Sequence, residues 1–430
     1  MHAIAKELNA QLEGTVVMDL LSDFGKRIYF PRGIISQSME AKEKAYRLTA
    51  TVGIAMKGTE PLYLPSIYRD FSGVSPSEVF PYASTAGDAK LRSVWKQEMI
   101  RKNPDLEGAD ISSPMVCSGL THGICITGDM FLDPGDVILV PDMFWGNYRL
   151  IFEERRQAAL TTFRFYTPEK DGMDIQALDD AIAKTPGPKA AVIFNFPNNP
   201  SGYSPTEEEA EQLVQMLVSH AQKGKKLLVI MDDAYFGLFY EPGTCTQSLF
   251  APLANIHENI LAVKVDGATK EELVWGFRIG FLTFGCKGMT APQYDALQKK
   301  AMGTLRSSVS NSSRPAQSLL LKGLESKTYH QEKQAAFDLL KERYDKVKEI
   351  LSRYRDDVNL IPLPFNSGYF MSFACRGDAE KLRVYLLDHY GVGTIAIGSD
   401  FLRIAFSSVD LEQLEELYTL IYQAAGELWN

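Results

Sequence analysis

Cysteine pairs, clustered histidines, a basic surplus and long apolar runs are all missing from this chain. Its five cysteines (Cys117, Cys125, Cys245, Cys286 and Cys375) are odd in number, scattered over 430 residues and contain no CxxC pair. That excludes a cysteine-based zinc module and a disulfide scaffold, and it fits free thiols in a reducing compartment. The six histidines form no short-spaced pair, so no histidine metal site is expected. Lys and Arg number 45 against 54 Asp and Glu, a net charge of -9, which argues against a polyanion such as nucleic acid as partner. No apolar stretch reaches the roughly 20 residues that a bilayer span requires. The opening MHAIAKELNAQLEG lacks a cationic segment followed by an apolar run, so no signal peptide is expected. The chain reads as a cytoplasmic protein with neither nucleic acid nor membrane as partner.

What is present is ordinary globular material: 45% hydrophobic and 23% charged residues, in a chain long enough for two or three domains. Short apolar runs rich in β-branched residues recur: VILVPD (137–142), AVIFNFP (191–197), LLVIMDD (227–233), ILAVKVD (260–266) and GFLTFG (280–285). Runs of this length without polar alternation predict strands covered on both faces. Between them lie helical patterns such as 204–226, which opens with Ser204-Pro205, places acids in its first turn and ends near Gly224 and lysines. Strand–helix alternation predicts a mainly parallel sheet with helices on both faces, and ligands of such sheets sit beyond the carboxyl ends of the strands. After about residue 325 the texture changes to a long helix (329–354), an extended run (368–375), a further helix, a short strand (401–406) and a final helix. That texture predicts a smaller α+β unit. The first dozen residues read as an arm on a partner subunit or as a plain surface helix.

Polar residues at the ends of the apolar runs carry the chemistry. NFPNNPSG (195–202) follows one run and sets Asn199 before a Pro-Ser-Gly turn. Asp232 ends the next run and Tyr235 follows by three residues; Lys270 follows another, with Arg278 eight residues on. Upstream, Ser118, Gly119 and Leu120 precede an apolar helical stretch, and Trp145 sits just beyond a strand in PDMFWGNY, with Phe144 beside it. Singly, each has a plain structural explanation: a surface lysine, a capping aspartate, a β-turn. In this order, and all at strand ends, they call for a joint one.

The patterns NxPxNPSG, DxAY and KxxxxxGxRxG together resemble the signature of the fold-type I, class I/II aminotransferases, the aspartate aminotransferase superfamily, over a stretch from about Val52 to about Arg403. The resemblance implies an α/β protein with a mainly parallel central sheet in a large pyridoxal 5'-phosphate domain (61–325), a smaller α+β domain (326–430), and residues 1–60 as an N-terminal arm and part of the small domain. It implies that Lys270 holds the cofactor as a Schiff base and later moves the substrate proton, and that Asp232 keeps the pyridine nitrogen protonated. Asn199 and Tyr235 resemble the pair that hydrogen-bonds the ring oxygen, and Trp145 the ring stacked on the pyridine. Ser118, Gly119, Leu120, Thr269 and Arg278 resemble the phosphate site, built on a helix N-terminus and a permanently charged fork. Tyr82, in PYASTAGDAKLR, resembles a tyrosine given to the phosphate across a homodimer interface.

For substrate, Arg403 in FLRIAF resembles the arginine that clamps the α-carboxylate, with Asn199 and the Gly53 amide nearby. Arg306, four residues before Ser310-Asn311, resembles the arginine that receives a distal carboxylate from the neighbouring subunit. These imply an amino acid and a 2-oxo acid as substrates, with aspartate or another dicarboxylic or aromatic donor and 2-oxoglutarate as acceptor. One departure stands out. Many members carry SxSK, whereas this chain reads Gly267-Ala268-Thr269-Lys270, so one phosphate contact is expected to be lost. The same residues also serve lyase and decarboxylase chemistry, and a non-catalytic binding protein on the same fold is a third possibility.

Overall fold

Apolar strands need cover on both faces, and the computed structural model, which describes residues 1–30 and 33–429, supplies it. One seven-stranded sheet runs, from edge to edge, through Met115–Cys117, Gly280–Gly285, Ile260–Asp266, Lys226–Asp232, Lys189–Phe194, Val137–Pro141 and Ala159–Phe163. Pairing is parallel from Ile260–Asp266 to Ala159–Phe163, while Gly280–Gly285 runs antiparallel to both its neighbours. The α/β class and the mainly parallel sheet are as the alternation predicts. Two strands escaped the apolar-run criterion. Met115–Cys117 is only three residues long, and Ala159–Phe163 is an edge strand with mostly exposed side chains.

The helical pattern after residue 204 starts at Glu207, later than Ser204-Pro205 suggests. Thr206 and Glu209 form a reciprocal capping box there, satisfying amides that the first turn leaves without partners. Ser204 is instead tied to Asn366, whose side chain accepts from its N–H and donates to its carbonyl. The helix Leu120–Phe131 packs on Gly280–Gly285 and Ile260–Asp266, burying Leu120, Ile124 and Ile126.

The C-terminal part contains the long helix Tyr329–Leu351 and a four-stranded antiparallel sheet, ordered Leu360–Pro362, Met371–Cys375, Phe401–Ile404 and Ile395–Ile397. The N-terminal strand Leu48–Thr49 pairs in parallel with Val392–Gly393, which joins the start of the chain to this part. Residues Ala3–Leu12 form a surface helix with only Ala5 buried. All five cysteines are free thiols, and among the described residues no helix is long and apolar enough to cross a membrane.

Behind the carboxyl ends of the sheet lies a buried ionic network. Lys264, 1% exposed, pairs with Asp233 and, at 3.5 Å, with Asp266. Glu271 accepts from Lys102 at 2.9 Å and from Lys333 at 2.6 Å, and Lys333 also reaches Glu272 at 2.9 Å. Burial alone pushes a carboxyl up, but the two lysines outweigh it and hold Glu271 down at about 2. Lys333 comes from the long C-terminal helix and Lys102 from the helix Ala89–Lys102, so the residues that follow Lys270 are gripped from two directions. Removing one partner leaves a buried charge uncompensated. Lys333→Met is therefore expected to cost roughly 3–5 kcal/mol in unfolding free energy. Lys299→Met, which breaks an exposed pair with Asp295, should cost under about 1 kcal/mol; urea denaturation of the two variants measures the difference.

Candidate active site

Three successive strands deliver their polar residues to one place. Lys189–Phe194 ends at Asn195, Lys226–Asp232 at Asp232, and Ile260–Asp266 leads to the four-residue helix Ala268–Glu271 that carries Lys270. With Leu120, Thr121, Ile124, Trp145, Asn199, Ala234 and Tyr235, these residues line a cavity of about 410 Å3. The side chains of Lys270 and Asp232 thus face the same space.

Asp232 is 4% exposed. Its Oδ2 accepts a 2.5 Å hydrogen bond from the Tyr148 hydroxyl, while its Oδ1 is buried with no partner. Burial raises its carboxyl to about 6, against the Tyr148 hydrogen bond and the nearby Lys270 charge, which both lower it. An unpartnered buried carboxylate oxygen of this kind suits a cationic N–H. Lys270 is shifted the other way. Burial lowers its amine to about 8, Asp232 opposes the shift and the Arg278 guanidinium adds to it. The amine lies 4.8 Å from the centre of the Tyr235 ring, and the Lys270 carbonyl accepts from the Tyr369 hydroxyl at 3.1 Å.

The helix Leu120–Phe131 opens on the same cavity, with Gly119 as N-cap at φ +83. A side chain at that glycine would collide with Arg278, since a Cβ would lie 2.5 Å from its Nη2, so the guanidinium sits directly against the helix N-terminus. Arg278 is exposed, held by one hydrogen bond to the Trp275 carbonyl at 3.2 Å, and has no acidic partner among the described residues. The pair makes an anion site from a helix terminus and a free guanidinium. Within Ser118–Leu120 the amides of Ser118 and Gly119 are already used, donating to His122 Nδ1 and to the Cys117 carbonyl. Leu120 and Thr121 are the residues of this turn that line the cavity.

The glycine in place of the expected serine also has a physical reason. A Cβ at Gly267 would lie 2.6 Å from the Ile279 carbonyl oxygen and 2.9 Å from the Gly280 Cα. Backbone occupies the space a serine would need. Thr269 is buried, its hydroxyl 3.5 Å from that same carbonyl.

Arg403 is 2% exposed. Its Nη1 donates to Asn199 Oδ1 at 3.0 Å and its Nη2 to the Thr51 carbonyl at 2.8 Å, its Nε is unpartnered, and its guanidinium lies 4.4 Å from the centre of the Phe370 ring. No carboxylate pairs with it among the described residues, and burial lowers its pKa to about 10. A buried guanidinium without an acid is costly unless an anion joins it. Hydrogen bonds run on from Asn199, whose N–H donates to Asn195 Oδ1 at 2.8 Å, and from Asn195, whose Nδ2 donates to the Asp232 carbonyl at 2.7 Å. Arg403 and Asp232 are thereby linked through two asparagines.

A second, larger cavity of about 1510 Å3 adjoins the first and shares Trp145, Asn199 and Tyr235 with it. Gly53 and Arg403 lie on its wall. Trp145 faces both cavities, whereas Phe144 stacks on Tyr148 under Arg149. Tyr82 and Arg306 are not brought to either cavity. Tyr82 is 91% exposed against the 309–315 loop, and Arg306 donates to Ser310 Oγ at 2.8 Å on the outer surface. Sequence reasoning missed Tyr148, Asn195, Thr121 and Phe370. For Asn195 alone there was a signal, as the first asparagine of NFPNNPSG.

The residues present fit pyridoxal 5'-phosphate: an amine for its aldehyde, a buried orphan acid for its ring nitrogen, an aromatic wall and a helix-terminus cradle for its phosphate. The chain matches the family "Aminotransferase class I and II" over residues 75–421. It is 28% identical over 190 residues to an aspartate aminotransferase of Geobacillus stearothermophilus, which covers 43% of this chain and 45% of that enzyme. The chain thus aligns with about half the length of that relative. Among solved structures, an aminotransferase from Anaerococcus prevotii is 25% identical with a TM-score of 0.80, covering 93% of this chain and 98% of that one. Thermus thermophilus aspartate aminotransferase with maleate, 19% identical, shares the fold with a TM-score of 0.72 over 94% of this chain and 99% of its own. With its sheet order, its strand-end residues and a family match across most of its length, this chain belongs to the class I and II aminotransferases, pyridoxal-phosphate proteins of fold type I.

Proposed function

We propose that the protein transfers the amino group of an amino acid to a 2-oxo acid such as 2-oxoglutarate, using pyridoxal 5'-phosphate held by Lys270. The observation that carries this reading is the meeting, in one cavity, of a depressed lysine amine with a buried aspartate that lacks a partner for one oxygen. When bound, the cofactor supplies an electron sink for the negative charge left at the substrate Cα.

The chain's own residues divide the remaining work. Lys270, with an amine near 8, has a substantial neutral fraction at physiological pH, as a nucleophile and a proton carrier both require. Asp232 gives an anionic oxygen to the ring nitrogen, and Tyr148 holds its other oxygen so that the carboxylate cannot rotate away. Arg278 and the helix opening at Leu120 neutralise the phosphate, with Ser118, Gly119 and Thr269 packed around them. Tyr235 and Asn199 serve the ring oxygen, and Trp145 the ring face. Arg403 clamps the substrate α-carboxylate by charge-assisted hydrogen bonds, with Asn199 and Gly53 beside it. Tyr82 and Arg306, exposed in the single chain, complete the neighbouring site in a homodimer, where Arg306 receives the distal carboxylate of aspartate, glutamate or 2-oxoglutarate.

Labelling of Lys270 by a small acylating reagent, read by mass spectrometry on the cofactor-free protein, is expected to rise with a midpoint near pH 8. A midpoint near the ordinary lysine value of about 10.4 would contradict the desolvated site. Lys270→Ala should remove the visible absorption band of the bound cofactor and lower turnover by about four orders of magnitude or more. Normal transamination by that variant overturns the assignment. Incubation of the wild type with L-aspartate and 2-oxoglutarate should yield glutamate and oxaloacetate; alanine with CO2, or ammonia, would instead mark decarboxylation or elimination. Arg306→Leu should raise KM for dicarboxylates about 10- to 100-fold and leave aromatic donors near their original values. Equal losses for both classes would remove Arg306 from specificity.

A further inference from the structure

Resting on the transamination reading above, we infer that the amino donor carries a large apolar side chain, aromatic ones included, seated in the second cavity against the helix Ile34–Lys44. The walls of that cavity carry Ile34, Met39, Val52, Ile54, Met56 and Phe370. Among the described residues no acid lines it, and its cations are Arg403 and Lys42. Arg403 is committed through Asn199 and Thr51 to the junction with the first cavity, where an α-carboxylate would meet it. Beyond that junction the lining is mainly aliphatic and aromatic, broken by the hydroxyls of Ser38 and Thr49, and among the described residues exposed Lys42 is its one further charge.

Two observations make this a seat for a side chain rather than a plain surface hollow. The cavity borders the one that Lys270 lines and shares Trp145, Asn199 and Tyr235 with it, which puts its apolar wall next to the place where a substrate Cα would sit. Met39 stands 58% exposed on its wall, although the same helix has a better-covered face towards the C-terminal sheet, where Gln37 bonds both ways with Ala396. An unbranched, polarizable methionine adapts its shape to an apolar group set against it. A short dicarboxylate gains no apolar burial here, whereas a phenyl or long aliphatic group removes both itself and this wall from water. Transamination uses one site for donor and acceptor in turn, so an apolar donor is compatible with a dicarboxylic acceptor that uses Arg306.

Equilibrium binding of two unreactive carboxylates to the holoenzyme separates this inference from the reading beneath it. By calorimetry, 3-phenylpropanoate is expected to bind at least about tenfold more tightly than succinate. Met39→Glu, a change on an exposed helix face that leaves the core intact, should weaken 3-phenylpropanoate about tenfold or more and succinate by less than about threefold. Tighter succinate binding in the wild type, or equal weakening of both ligands by Met39→Glu, overturns the inference. Bleaching of the cofactor band by added amino acids then reports the underlying reading. Bleaching by L-aspartate at least tenfold more efficiently than by L-phenylalanine sinks the apolar donor and leaves transamination standing. No bleaching by any amino acid sinks transamination itself, and the donor assignment with it.

Discussion

Withheld solvation organises this molecule. At the carboxyl end of its sheet, Asp232, Lys270 and Arg403 are drawn out of water without enough opposite charge beside them, and burial is the largest influence on all three. The consequences differ by sign: the acid is pushed up, the amine and the guanidinium down. Each group therefore holds unsatisfied interaction free energy that a ligand of the right charge can relieve. A cationic N–H would suit the free oxygen of Asp232, an electrophilic carbon the neutral amine of Lys270, and an anion Arg403. The rest of the fold keeps those three groups from relaxing towards one another or towards bulk water.

That restraint has two layers. In front, the asparagine pair links Arg403 to the strand that ends in Asp232, so acid and guanidinium are spaced by a rigid hydrogen-bonded path. Behind, Lys102 and Lys333 fix Glu271 and Glu272, the two residues that follow Lys270. The contrast between the layers is instructive. The rear charges are nearly all paired and serve as mechanical ties, whereas the front charges are left open. The two layers meet at neighbouring residues, open Lys270 and paired Glu271.

Much of this was legible before any coordinates. Lys270, Asp232, Asn199 and Arg278 each follow an apolar run, and the parallel sheet with its helical cover follows from those runs. The edge strand Ala159–Phe163 was not, because most of its residues face water and break the apolar signature. Tyr148 was hidden for another reason: a tyrosine three residues after Trp145 is unremarkable in sequence, and only the fold brings its hydroxyl to Asp232. The glycine at 267 reads as a lost contact in sequence, but the approach of the 279–280 backbone makes it a packing requirement. The helix Ile34–Lys44 carried no reading of its own in the sequence, and its apolar wall emerges only where it lies beside Phe370. Tyr82 and Arg306 mark a different boundary, since both lie on the surface and neither reaches a cavity of the active site in this chain.

The short pairing of Leu48–Thr49 with Val392–Gly393 reaches further than its two residues suggest. From that strand the chain runs on to Thr51, whose carbonyl receives Arg403, and then to Gly53 and Ile54 on the larger cavity. All of these precede residue 75, where the recognisable family segment begins. A recombinant fragment trimmed to that segment would keep the lysine and the acid, yet strip the guanidinium of its backbone acceptor and open the neighbouring hollow to solvent. Residues 48–54 therefore belong to the working unit, although they lie outside the family segment.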